Sequence, residues 1–179
     1  MLLFVLALAC RSMEKKSPAR LVHIYQRTQS FSKRLSVLEA SQNYVEEGEK
    51  LHLWALNSSS FELQQVALLE LNRRLTSGVV SNIDSVAQGY FNILQSPDER
   101  LGELAQEGLA LLLMSSSNSN FENKLCLLAQ DAPDWRVRHR AVALLRWGKD
   151  QASLECRLSV ARLDANPEVR RAALKSLAG

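Results

Sequence analysis

Asp134–Leu145 reads DWRVRHRAVALL, and Asn166–Leu177 reads NPEVRRAALKSL. At an offset of 32 residues, Val137 falls on Val169, Arg138 on Arg170, Ala141 on Ala173 and Leu145 on Leu177. The shared pattern is D/N-x-x-V-R-x-x-A-x-x-x-L. Two weaker copies lie upstream. SPDERLGELAQEGL places Leu101, Ala105 and Leu109 at the same relative positions, and SSSFELQQVALLEL places Leu63, Ala67 and Leu71 there. The anchor alanines Ala67, Ala105, Ala141 and Ala173 are spaced by 38, 36 and 32 residues. Self-similarity at this period is the signature of a repeat architecture and sets the fold class before any residue-level reading.

Each copy has the same physical logic. The leading Ser60, Asp98, Asp134 and Asn166 suit a helix N-cap, because their side-chain oxygens can accept the orphan N–H groups of a first turn. The early acids Glu62, Glu99 and Glu168 complement the helix dipole. Positions i, i+4 and i+8 make one apolar stripe, and the central alanine lets a neighbouring helix approach closely. Between these segments lie other helical patterns: NYVEEGEKLHLWAL, IDSVAQGYFNIL, FENKLCLLAQ and LECRLSVARL. The short polar turns NSSS, QSPD, DAPD and DANP join each of these to the copy that follows. The expected fold is therefore all-α, an α-solenoid of helical hairpins that bury their apolar faces by stacking. Residues 45–179 should supply about four hairpins. Residues 1–44 read as irregular N-terminal helices of the same array, SPARLVHIYQRT and FSKRLSVLEASQ among them.

Composition agrees. Hydrophobic residues make up 46% and charged residues 23% of 179, and only four prolines and seven glycines occur, too few for a turn-dense β domain. The net charge is only +3. From Asp134 onward there are ten Lys or Arg against five Asp or Glu, a basic bias milder than a dedicated nucleic-acid binder usually shows. Cys10, Cys126 and Cys156 are odd in number and share no metal-site or redox spacing. They read as buried thiols without a disulfide, which suits a reducing compartment. The opening MLLFVLALAC has no Lys or Arg before it and is too short to span a bilayer. It reads as a buried core helix rather than a secretory or lipoprotein-type signal. The cytoplasm, with the nucleus also open, is the expected location.

The two-helix unit with V-R-x-x-A opening its second helix resembles HEAT repeats of the armadillo-like class. Pro97, Pro133 and Pro167, with Asp98, Asp131 and Asp134, look like the turn residues of that family, and Arg138 and Arg170 like its arginine. The second copy has Gly102 where the arginine would stand, and the first has Gln64. The run VRHRAVALLRWGKDQASLECRLSVARLDANPEVRRAALKSL also resembles a segment of the giant proteasome adaptor and scaffold proteins, with Asp150, Arg157, Leu163 and Asp164 in similar places. That resemblance implies a part of a longer protein that tethers or regulates the 26S proteasome, with proteasome subunits as partners.

No reaction motif stands out. His23, His52 and His139 have no glycine-rich nucleophile elbow nearby, no P-loop or dinucleotide fingerprint occurs, and no His, Cys, Asp or Glu set has ligand spacing. Glu46, Glu47 and Glu49 read as a solvated helix face. No catalytic residue, cofactor or metal is expected. Trp135 reads as packing at the start of a repeat helix. Within the basic cluster, Arg136 and Arg140 share a face while Arg138 lies about 200° from Arg136. Val137, Arg138, Ala141, Val169, Arg170 and Ala173, with Ala67 and Ala105, are assigned to the repeat itself. Arg138 is expected to bond the preceding turn's aspartate or carbonyls, and so hold successive repeats in register. Arg136, His139 and Arg140 remain as the expected partner-binding surface. The expected function is a non-catalytic protein–protein scaffold, as a monomer or part of a larger chain. A nucleic-acid-binding solenoid and a HEAT-like lyase or modification enzyme are the alternatives.

Overall fold

A computed structural model describes Met13, residues 16–115 and residues 118–178. The expected helix at Met1–Cys10 lies outside the described residues. The protein is all-α: ten α-helices, with no strand among the described residues. They are α1 (Pro18–Arg27), α2 (Phe31–Ser41), α3 (Glu46–Leu56), α4 (Phe61–Thr76), α5 (Ile83–Leu94), α6 (Glu99–Ser115), α7 (Ser119–Asp131), α8 (Trp135–Leu144), α9 (Gln151–Leu163) and α10 (Pro167–Ala178). A single 3₁₀ turn, Leu145–Trp147, follows α8. No helix among the described residues is long and apolar enough to cross a membrane.

The helix starts follow from the caps read in the sequence. Ser60 Oγ accepts from Leu63 N at 3.3 Å, Asp98 Oδ1 from Leu101 N at 3.0 Å, Asp134 Oδ1 from Arg136 N at 2.8 Å and Asn166 Oδ1 from Glu168 N at 2.8 Å. Each such cap is worth about 1 kcal/mol. The stripes behind them are core. Ala67, Ala105, Ala141 and Ala173 are fully buried, and so are Leu71, Leu109, Leu145 and Val169.

Two compact units divide the chain, Met1–Gly89 and Tyr90–Gly179. The division falls inside α5, and α1 and α2 lie in the same unit as α3 and α4. In the first unit α1 packs on α2 and α3 on α4, while α1 also meets α3 and α2 also meets α4. The second unit repeats that pairing: α7 packs on α8 and α9 on α10, with α7 against α9 and α8 against α10. Helix α6 packs on α8 as well.

Two expectations fail here. Cys126 and Cys156 form a disulfide, with Cα atoms 5.9 Å apart, so they are not free thiols. Their separation of 30 residues is close to one repeat, and residues one repeat apart on first helices face each other. Repeat length, not a short motif, is the relevant spacing, and the cysteines therefore lend no support to a reducing compartment. Glu49, read as solvated, is 2% exposed. Its Oε2 accepts from Ser81 N at 2.7 Å and its Oε1 from Asn82 N at 3.0 Å, holding the turn that leads into α5.

His52 lies fully buried in α3, its Nδ1 2.6 Å from the Gly48 carbonyl and its Nε2 without a partner. Nδ1 thus carries the proton and donates. Burial pushes the imidazole pKa down to about 4. An unfolded chain would titrate His52 near 6.5. Above that pH both states are neutral and stability is whole. As pH falls from about 6.5 to about 4 the unfolded state alone takes up a proton, and about 3 kcal/mol is lost. His52→Leu should remove this component. The check is the urea midpoint of wild type minus variant between pH 7.5 and 4.5; a difference that does not change with pH would refute the assignment.

Candidate surface on the second unit

The repeat arginines do in space what their alignment implies. Arg138 Nη1 donates to the carbonyls of Ala132 and Pro133 at 2.8 and 3.2 Å. Arg170 Nη1 donates to those of Asp164 and Ala165 at 2.7 and 3.1 Å. Each arginine thus reaches back six and five residues to the end of its hairpin's first helix, where orphan carbonyls need donors. Arg138 goes further. Its Nε and Nη2 clamp the Asp164 carboxylate at 2.7 and 3.2 Å, joining α8 to the turn of the next hairpin. Burial would raise the Asp164 pKa, but Arg138 and the Asn166 N–H outweigh it and hold it low. Gln64, standing where the first copy lacks an arginine, donates from Nε2 to the Leu56 carbonyl at 3.0 Å.

Gly102, the other departure, has a different answer. Arg140 is not on the surface as the sequence reading expected; it is 5% exposed. Its Nη1 donates to the carbonyls of Leu94 and Ser96 at 3.2 and 3.1 Å. A Cβ at position 102 would collide with the Arg140 guanidinium. The end of α5 and the turn after it therefore receive their arginine from α8, and glycine leaves the room. Arg140 sits at i+3 from Val137 and i−4 from Leu144, on the inward stripe, a phase the sequence shows.

Of the expected partner-binding residues, Arg136 and His139 remain accessible. Arg136 is exposed, lies over the Trp135 ring at 5.4 Å and makes only a loose ion pair to Asp134 at 3.6 Å. His139 is half-buried and meets Trp135 edge to face at 6.5 Å. Burial, aided by the Arg140 and Lys175 charges and opposed by Glu168, pulls its pKa below the ordinary value. Near neutral pH it is therefore an uncharged hydrogen-bonding group, not a third cation.

These two residues open onto adjoining clefts along α6, α8 and α10. One, of about 320 Å³, is lined by His139, Arg146, Trp147, Arg171 and Lys175 among others. The other takes in Glu99, Glu103, Trp135 and Arg136, and both share Gln106, His139 and Glu168. The groove is thus acidic at α6 and basic toward α10, with tryptophans along it. Arg171 is paired with Glu168 at 2.8 Å, while Arg146 lies over the Trp147 ring at 4.7 Å. Neither Arg146 nor Lys175 forms a salt bridge among the described residues. Sequence reasoning did not connect Glu99, Glu103, Arg146 and Lys175, because they sit on three different helices.

Glu122 on α7 completes the picture of how hairpins are tied. It is 3% exposed, and its carboxylate accepts from Lys149 N, Asp150 N and Ser153 Oγ at 3.3, 3.4 and 2.7 Å. Like Glu49, it stands fourth in a first helix and holds the turn into the next one. Among the described residues no cluster of His, Cys, Asp or Glu could hold a metal ion. No protein-family model matches the chain, and no curated protein matches its sequence.

Proposed function

We propose that this chain is a non-catalytic protein-binding scaffold of HEAT-like hairpins stacked as an α-solenoid, and that it tethers or regulates the 26S proteasome. One observation carries the repeat reading: Arg138 and Arg170 make the same pair of backbone hydrogen bonds at an offset of 32 residues. Packing of first helix on first helix and second on second within each unit supports it. The likeness of the Val137–Leu177 run to proteasome adaptor and scaffold proteins supports the partner. The groove along α6, α8 and α10 is the surface assigned to that partner, since it combines tryptophans with charges of both signs.

The nucleic-acid reading loses its residues. Arg140 is buried, His139 is neutral near pH 7, and Glu99, Glu103 and Glu168 line the groove with the wrong sign for a phosphate backbone. Affinity capture on the intact chain tests the proposal. Proteasome subunits should co-purify; their repeated absence would remove the proteasome assignment. Salt-sensitive binding to RNA or DNA that disappears in Arg136→Glu would revive the alternative.

A further inference from the structure

The groove on the second unit has a direction. Helix α8 packs against both α6 and α10, so both walls belong to this chain. On α6, Glu99 and Glu103 line one cleft and Ala110 the other. Trp135 and Arg136 open α8 in the first cleft, and Arg146 and Trp147 follow it in the second. On α10, Glu168 reaches the first cleft, while Arg171 and Lys175 line only the second. The three helices therefore run the same way along the groove. Charge follows that direction. At the starting end Glu99 and Glu103 are exposed and form no salt bridge among the described residues. The cations beside them are engaged: Arg136 lies over Trp135 and faces Asp134, and Arg140 donates to the Leu94 and Ser96 carbonyls. At the far end Arg146 and Lys175 are exposed and form no salt bridge among the described residues. Between the ends lie Ala110, Ala143 and Ala172, whose small side chains leave room.

Glu168 and Lys175 mark the two ends on α10, seven residues apart. That is about 10.5 Å along the helix axis. Same-face residues of an extended strand recur at about 6.8 Å and about 13.6 Å, and neither matches. Residues i and i+7 of a helix do match. A helix also carries its acids best in the first turn and its bases in the last. Laid antiparallel to α6, α8 and α10, such a helix sets its acids on Arg146 and Lys175 and its bases on Glu99 and Glu103. We infer that the groove takes one amphipathic helix of a partner protein, acidic in its first turn and basic two turns later, docked antiparallel to α6, α8 and α10. Its apolar residues pack over the alanines and against Trp135 and Trp147. The inference rests on the proposed reading of the groove as a protein-binding surface, and adds which kind of segment fills it and which way it points.

The probe is a capped, alanine-based helical peptide of about 16 residues. It carries two glutamates in its first turn, leucines one turn on, and two lysines seven residues after the glutamates. Added to the intact, isotope-labelled chain, it should shift the amides of Gln106, His139 and Ala143 saturably. A nitroxide on the peptide's N-terminus should broaden Arg146, Trp147 and Lys175, and one on its C-terminus Glu99, Glu103 and Trp135. Arg146→Glu/Lys175→Glu should weaken binding about tenfold. A proline at the peptide's centre, with the charges unchanged, should abolish it. The reverse broadening pattern, undiminished binding of the proline peptide, or no groove shifts at millimolar peptide would overturn the inference. Proteasome capture gives a separate answer. Peptide binding without captured proteasome leaves the helix site standing. Proteasome binding that is sensitive to the same double variant, with no peptide binding, keeps the groove and removes the helix.

Discussion

Arg74→Met should destabilise the first unit by about 3–5 kcal/mol, the range for removing one partner from a buried charged network. Arg74 is 1% exposed near the end of α4. Its Nε donates to Glu70 Oε1 at 2.8 Å, Nη1 to the Val45 carbonyl at 2.9 Å, and Nη2 to the Gln42 and Tyr44 carbonyls, both at 3.0 Å. One guanidinium thus satisfies the turn between α2 and α3, where the chain leaves one helix and enters the next. Gly48 is required beside it, since a Cβ there would lie 2.6 Å from Nη2 and strike the Ser41 carbonyl. Methionine fills similar space but donates nothing, so buried carbonyls are left unpaired at about 1–3 kcal/mol each. Arg74→Lys should recover part of the loss, because an ammonium reaches fewer of these acceptors. Urea unfolding with a probe in residues 18–76 measures this. A loss below about 1 kcal/mol would show that the turn does not depend on Arg74.

The second large effect belongs to the disulfide. Cys126 and Cys156 close a loop of 30 residues between α7 and α9. By chain entropy that constraint is worth about 3–4 kcal/mol. Reduction, or Cys156→Ser, should lower the stability of the second unit by this amount. The chain has three cysteines. Unfolded without reductant it should therefore show one reactive thiol, Cys10, and three after reduction. Three reactive thiols before reduction would refute the bond.

Much of the fold was legible in the sequence because it is periodic. The caps at Ser60, Asp98, Asp134 and Asn166 and the alanines between them mark where second helices start and which side they bury. Less legible were the charged residues on the inward stripe. Glu49 is in phase with His52 and Leu56, Arg74 with Ala67 and Leu71, Glu122 with Leu125 and Ala129, and Arg140 with Val137 and Leu144; all are buried. A charge at such a phase signals a backbone end to be satisfied on a neighbouring element, but which end is a matter of tertiary contact. Arg140 shares a helix face with Arg136 and lies outside the repeated V-R-x-x-A pattern, so that pairing alone points it to the surface. Gly102 shows the converse: a gap in the motif is filled from another hairpin. The groove itself was invisible, because its residues share no local sequence.

The groove along α6, α8 and α10 is the surface proposed to bind the proteasome. The most direct measurement is equilibrium binding of purified 26S proteasome to the immobilised intact chain, wild type against Arg146→Glu/Lys175→Glu. Both residues are exposed, so circular dichroism and the unfolding midpoint should stay unchanged. Wild type should bind and the double variant should bind at least about tenfold more weakly, with the gap narrowing as salt rises. Equal binding by the two chains, or none by either, would contradict the account.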